Sequence, residues 1–149
     1  MRGLHQWTVA WFTLSAVLAL HVYQEVTSGA HQTYGATMDL LRQLFPLLPP
    51  FNYTVWLLDI TGAALALLAL TWFVHKRNRL MLPASYALAT FTTANAMLHL
   101  CSRFYGVEYL AGTQSALLLL AASLFLLLSI PRRDALDKAA PTGTLRPRA

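Results

Sequence analysis

The stretch WTVAWFTLSAVLALHVYQEV, residues 7–26, is apolar for most of its length and then carries a histidine and a carboxylate, His21 and Glu25. An α-helix needs about 20 apolar residues to cross the hydrocarbon layer of a membrane. Three more such runs follow, at about residues 53–74, 80–100 and 113–130. The 149-residue chain is 56% hydrophobic and 11% charged, which is typical of membrane proteins. We therefore predict an all-α, polytopic membrane protein, with a four-transmembrane-helix bundle over residues 1–130.

Basic residues lie at the ends of the predicted spans and mostly on one side. Nine of the 11 Lys and Arg residues precede the first span, join the second to the third, or follow the fourth, whereas Arg42 and Arg103 fall on the other side. Because Lys and Arg near helix ends are retained in the cytoplasm, both termini should be cytoplasmic. This predicts a protein of the cytoplasmic (inner) membrane. Residues 131–149 have too few apolar side chains to pack and are predicted to form a flexible tail. The lipid bilayer is then the expected partner, and nucleic acid is not, because no basic-aromatic interleaving accompanies the net charge of +5.

The N-terminal segment has a second interpretation. Arg2, the apolar run and Ser28-Gly29-Ala30 loosely resemble a secretory signal whose cleavage would remove residues 1–30. The polar gap from His21 to Ser28 is long for such a signal, so a retained first span is the main prediction.

The only long connection, about residues 27–52, contains MDLLRQLF at residues 38–45. Its apolar side chains recur at helical spacing, which predicts a short interfacial helix on the outer membrane surface. The short loops between the later spans predict that neighbours in sequence are antiparallel neighbours in space. Trp7 and Trp11 are expected in an aromatic belt at the membrane boundary. Small residues should permit close helix packing: these are Gly62, Ala63, Ala66, Ala84, Ala87, Ala94, Ala121 and Ala122.

Polar groups from three predicted spans fall in one layer, in the outer half of the bilayer. With a rise of about 1.5 Å per residue, His21 and Asp59 each lie about 9 Å below the outer surface. His21 and Glu25 are four residues apart, as are Asn95 and His99, so each pair shares a helix face. Since a carboxylate facing lipid at this depth is costly, we expect these faces to point inward and to form a polar cavity open toward the outer leaflet.

Three motifs resemble a family of small bacterial membrane proteins named for an HXXEE sequence. The first is His21-Val22-Tyr23-Gln24-Glu25, the second is NAMLH at residues 95–99, and the third is YLAGT at residues 109–113. The resemblance covers most of residues 10–128 and departs at Gln24, where the family has its first glutamate. It implies a small helical membrane protein without indicating a particular reaction.

The chain is also similar to the four-helix EXPERA membrane domain of sterol-handling proteins. That domain likewise has a long first outer connection with two prolines before its second helix, and LPASYALATFTT, residues 82–93, resembles its third helix. The resemblance implies that Asp59 and Glu25 would meet an amine or a developing carbocation of a hydrophobic ligand.

The leading hypothesis is an intramembrane site that binds or transforms a small hydrophobic or lipid-like molecule. In this hypothesis His21 acts as general acid or base, oriented by Glu25 or Asp59, and His99 completes the catalytic group. The ligand would contact Asn95, Tyr23, Thr92 and Tyr109. The sequence does not decide whether the protein is an enzyme.

Three alternatives stay open. A non-enzymatic transporter or accessory subunit would use Asp59 and the histidines as a proton or ion relay, and a structural protein would use the polar layer only to fix helix register. A divalent metal held by His21, Glu25 and His99 is a further alternative, since imidazole and carboxylate suit borderline metals. The absence of H-E-x-x-H spacing argues against that metal, so the sequence assigns no cofactor.

Overall fold

The computed structural model of the chain describes residues 2–102 and 112–131. Within these residues there are five helices and no strands: α1 (Arg2–Thr27), α2 (Ala30–Leu44), α3 (Tyr53–His75), α4 (Met81–Ser102) and α5 (Thr113–Ser129). The all-α prediction is confirmed, and the four longer helices cover the four apolar runs. The segment predicted to form an interfacial helix is helical, although the helix begins at Ala30 rather than Met38. The predicted tail, from residue 132 onward, lies outside the described residues.

Local signals set the helix boundaries. Gly29 adopts a left-handed conformation, with φ of 80°, in the turn that separates α1 from α2. Such a backbone angle suits glycine because it has no Cβ. Asn52 caps α3 by accepting a hydrogen bond from the backbone N–H of Val55 at 3.1 Å. The chain therefore turns sharply after α1 and restarts cleanly at α3.

α1 packs along both α3 and α5, and α5 packs along α4. The indole of Trp7 donates to Ser85 Oγ at 2.9 Å, and the indole of Trp11 donates to Leu67 O at 3.0 Å. Both tryptophans are buried, so they belong to the helix interface and not to the predicted aromatic belt. Their N–H groups connect α1 to α4 and to α3.

The predicted pairing of sequence neighbours holds for α4 with α5 and fails for α3 with α4. In the described ranges 2–102 and 112–131, α3 packs mainly on α1 and makes few contacts with α4. The loop between α3 and α4 is short, but α1 occupies the packing face of α3. The order of helices in the bundle therefore differs from their order in the chain.

Small residues do line the α4–α5 interface, at positions other than most of those predicted. Ala89 and Ala96 of α4 are fully buried, as is Ala116 of α5, and Thr93 Oγ1 donates to Ser123 Oγ across the interface at 2.9 Å. Of the predicted small packing residues, Ala122 is buried and Ala84 is half-buried. The others are exposed: Gly62, Ala63, Ala66, Ala87, Ala94 and Ala121.

Two of the described helical segments, Leu4–Thr27 and Tyr53–His75, are long and apolar enough to span a membrane, judged by length and composition. The apolar α5 is shorter, with 17 residues.

Candidate functional site

α1 presents two polar side chains to the interior of the bundle near its C-terminal end. His21 is 1% exposed and Glu25 is 6% exposed, and their four-residue spacing puts them on one side of the helix. His21 Nε2 lies 3.6 Å from Glu25 Oε1. Both side chains thus point inward, as their spacing predicted.

α4 supplies a third polar side chain, His99, to the same place. His99 is 4% exposed, and its Nε2 lies 3.3 Å from Glu25 Oε1. The rings of His21 and His99 have centroids 4.9 Å apart and stand at 86° to each other. One carboxylate oxygen therefore faces both imidazoles. We refer to His21, Glu25 and His99 as the His-Glu cluster.

Hydrogen bonds from α4 and α5 orient His21. Its Nδ1 lies 2.8 Å from Ser115 Oγ, and the Ser115 hydroxyl donates to Gly112 O at 3.2 Å. Because a hydroxyl has a single hydrogen, Ser115 then accepts from Nδ1–H of His21. This assigns Nε2 as the unprotonated nitrogen, which accepts from Asn95 Nδ2 at 3.2 Å. Nε2, the unprotonated nitrogen, is thus the one that lies 3.6 Å from Glu25 Oε1.

Gln24, which stands where the HXXEE motif has a glutamate, joins α1 to α5. Its Oε1 accepts from the backbone N–H of Ser115 at 3.1 Å, and its Nε2 donates to Gln114 Oε1 at 2.8 Å. α5 starts after Gly112, which offers no side-chain cap, so Gln24 satisfies an N–H of the first turn. The same contact keeps Ser115 beside His21.

Gly112 packs its backbone directly against the His-Glu cluster. Its φ is 90°, in the left-handed region that favours glycine. A β-carbon at this position would lie 2.7 Å from His21 Cε1, 3.1 Å from His99 Cε1 and 3.2 Å from Glu25 Cγ. All three members of the cluster therefore depend on the absence of a side chain at Gly112.

α2 reaches the cluster through Tyr34. The Tyr34 hydroxyl donates to both oxygens of Glu25, at 3.3 and 3.4 Å. Burial, reinforced by the Glu25 carboxylate, raises the pKa of Tyr34 to about 12. Tyr34 thus stays protonated at neutral pH, and its hydroxyl can donate a hydrogen bond to the carboxylate.

Among the described residues, hydrogen bonding does not satisfy every atom of the cluster. His99 Nδ1 is buried and has no hydrogen-bond partner within residues 2–102 and 112–131. The three residues of the cluster also each offer one ligand atom, and these atoms lie within 4.8 Å of one another. The group therefore suits proton transfer between imidazole and carboxylate, and it also has the composition of a metal site.

Three of the other residues predicted for the site, Thr92, Tyr23 and Asp59, make no described contact with this cluster. Thr92 is buried, but its hydroxyl donates to backbone carbonyls of its own helix, and Tyr23 is 66% exposed. Asp59 is exposed, so its predicted place beside His21 is wrong. α3 packs on α1 through a side that includes the buried Ala64, and Asp59 lies about 140° around the helix from it. Tyr109 lies outside the described residues.

Three contributors were not identified as site residues from the sequence: Ser115, Gly112 and Tyr34. Ser115 is the third residue of α5 and therefore lies near the same predicted membrane surface as His21 and His99. The depth argument that grouped those two histidines could also have included it. Gly112 appeared only as part of the YLAGT motif. Tyr34 lies in a connection, where depth in the membrane offers no signal.

A groove between α1 and α5 includes in its lining Ser115, the serine that contacts His21. It has a volume of about 310 Å³ and is lined by Leu20, Tyr23, Gln24, Thr27, Gln114, Ser115 and Leu118. A second groove, of about 270 Å³, runs between α1 and α3 and shares Tyr23. Tyr23 therefore lies at the edge of two largely apolar grooves.

No protein-family model, no curated protein and no solved structure matches this chain. The resemblances to the HXXEE and EXPERA proteins therefore stay predictions.

Proposed function

We propose that the protein crosses the inner membrane four times, through α1, α3, α4 and α5. The exposure of α3 is the main support, because this helix contains an 18-residue window with a mean hydropathy of 2.0 and buries only Ala64 and Val74. Soluble monomeric proteins rarely expose so large a continuous apolar surface. Large apolar side chains are also exposed on the other three helices, such as Phe12, Phe91 and Leu128.

We further propose that the His-Glu cluster is an intramembrane site for a small lipid-like molecule near the outer leaflet. The observation that carries this proposal is the burial of two histidines and a carboxylate in mutual contact inside a bundle with an apolar exterior. Polar groups are costly at that depth, and one hydrogen-bonded pair would suffice to fix the helix register. Three such groups in contact therefore favour a functional site over a purely structural one.

The α1–α5 groove supplies the binding volume in this proposal. Its largely apolar lining suits an acyl or isoprenoid chain and includes Ser115, whose hydroxyl contacts His21. The polar end of the ligand would reach the cluster, where His21 acts as acid or base and Glu25 orients it. Asn95 and His99 would hold a polar atom of the ligand.

The relay alternative is less well supported. It needs Asp59 in line with the histidines, and Asp59 lies on an exposed side of α3. The hydrogen bonds described for His21 connect it to Ser115 and Asn95, both at the same end of the bundle.

Replacing His99 with alanine should abolish retention of the lipid-like ligand. The protein would be purified in mild detergent, and co-purifying small molecules would be extracted and identified by mass spectrometry. We expect a molecule that is enriched with the parent protein and lost from the variant. The variant should also lose about 1–3 kcal/mol of stability, because a buried hydrogen-bonding partner is left unsatisfied.

The matched control is His75→Ala, since His75 is an exposed histidine at the end of α3. This variant should retain the same molecule as the parent protein. Identical extracts from the parent and the His99→Ala variant would contradict the proposed function and leave a structural role for the cluster.

The four-span topology predicts that a reporter fused after Ala149 is cytoplasmic and that one inserted near Gly35 is external. The physical reason is the distribution of Lys and Arg, nine on one side and two on the other. Paired alkaline phosphatase and fluorescent protein fusions would measure the two positions. Both reporters on one side of the membrane would contradict four spans and favour a cleaved N-terminal signal.

A further inference from the structure

We propose that His21, Glu25 and His99 bind a divalent transition-metal ion with the ligand preferences of zinc. This inference deepens the proposed function, on which it rests for the role of the site. Two imidazole nitrogens and a carboxylate oxygen are a donor set that zinc accepts, and three protein ligands leave a position for water or a ligand atom.

Two of the three distances within the cluster match those between ligands of one metal ion, and all three ligand atoms lie within 4.8 Å of one another. For metal–ligand bonds of about 2.0–2.2 Å in a tetrahedron, neighbouring ligand atoms lie about 3.3–3.6 Å apart. Glu25 Oε1 lies 3.3 Å from His99 Nε2 and 3.6 Å from His21 Nε2. Charge-assisted hydrogen bonds between such groups are shorter, at about 2.7–2.9 Å. The two distances from the carboxylate to the imidazoles are therefore those expected when the groups share one metal ion.

The surroundings of His21 are those of a metal ligand. Metal-binding histidines usually donate their other ring N–H to a neighbouring acceptor, which fixes the tautomer and the ring orientation. His21 Nδ1 donates to Ser115 Oγ, which in turn donates to Gly112 O. This leaves Nε2 unprotonated on the side of Glu25, as coordination requires, and an ion bound there would replace the hydrogen bond that Nε2 accepts from Asn95 at 3.2 Å.

The carboxylate has comparable support. The Tyr34 hydroxyl donates to Glu25, as hydrogen-bond donors commonly do to ligating carboxylates. A bound cation would stabilise the three side chains together.

The first test is the metal content of the protein, purified without chelators and with a tag that contains no histidine. Elemental analysis should find about one zinc-type ion per chain in the parent protein and a large loss in the Glu25→Gln and His99→Ala variants. The His75→Ala variant should keep the ion. A metal-free parent that also fails to bind added Zn²⁺ would overturn the inference, as would equal metal content in the parent and the His99→Ala variant.

A second variant covers the case in which the ligand variants fail to fold. Ser115→Ala removes the acceptor of His21 Nδ1–H and keeps helix propensity, so it should fold and bind Zn²⁺ roughly 10–100-fold more weakly. Ser123→Ala is the matched control, because Ser123 is a buried serine of the same helix that pairs with Thr93 and not with the cluster. Zinc-dependent increases in Tm would be measured for both variants. Equal increases would overturn the inference.

These results are separable from the test of the proposed function. A parent protein that retains its lipid-like molecule but binds no zinc would overturn the metal site alone. A parent protein that binds zinc through the cluster but retains no such molecule would overturn the lipid site and leave the metal site supported.

Discussion

Replacing Gly112 with alanine is expected to lower the free energy of unfolding by about 2–5 kcal/mol. Two costs add at this position. The residue has φ of 90°, which strains any residue with a Cβ, and the added carbon would lie 2.7 Å from His21 Cε1. The cluster must then move apart or α5 must shift at its first turn. Thermal or denaturant unfolding in detergent would measure the loss of stability.

Two other glycines separate the backbone cost from the steric cost. Gly29 has φ of 80°, and no atom lies within 4 Å of the place that a β-carbon would take there, so Gly29→Ala should lose about 1–2 kcal/mol through strain alone. Gly62 lies within α3, also with nothing within 4 Å, so Gly62→Ala should be neutral or stabilise by up to about 1 kcal/mol. A Gly112→Ala variant as stable as the Gly29→Ala variant would contradict the close approach of α5 to the cluster.

The helices of this protein could be predicted from the sequence because their apolar runs are long and bounded by clear signals. Asn52 follows two prolines and caps α3, and Gly112 precedes the run that forms α5. The contact between His21 and both Asn95 and His99 followed from similar depth on helices running in the same direction. Depth depends only on residue count and helix rise, so it can be derived from the sequence.

The inward faces of the helices could not be predicted in the same way. α3, α4 and α5 differ little in average polarity from one side to another, so periodicity does not distinguish a lipid-facing side from a packed side. For that reason Asp59 was assigned to the site although it lies on an exposed side of α3. Most of the predictions of small packing residues were wrong for the same reason. The burial of Trp7 and Trp11 was missed because interfacial depth does not specify orientation.

Removing the carboxylate at Glu25 should have an effect as large as that of the Gly112 variant. Glu25 accepts from Tyr34 and lies within 3.6 Å of both cluster imidazoles. Glu25→Ala removes the acceptor of the Tyr34 hydroxyl and leaves a cavity beside the two buried imidazoles. We expect a loss of about 2–5 kcal/mol in the free energy of unfolding, measured by the same unfolding assay.

The Glu25→Gln variant separates the structural role of this side chain from the role of its charge. Glutamine keeps the length of the side chain and one acceptor oxygen for Tyr34, so most of the stability should be retained. It has no negative charge to pair with a protonated imidazole or to bind a metal ion, so retention of the ligand and binding of Zn²⁺ should both fall sharply. Asp59→Ala is the matched acidic control, and it should not weaken binding because Asp59 lies on an exposed side of α3, away from the cluster. If the Glu25→Gln variant binds both as the parent does, the carboxylate acts only as a hydrogen-bond acceptor that holds the helices together. If it keeps its stability and loses binding, the charge of Glu25 serves the site, because the packing of α1 against α4 and α5 is unchanged.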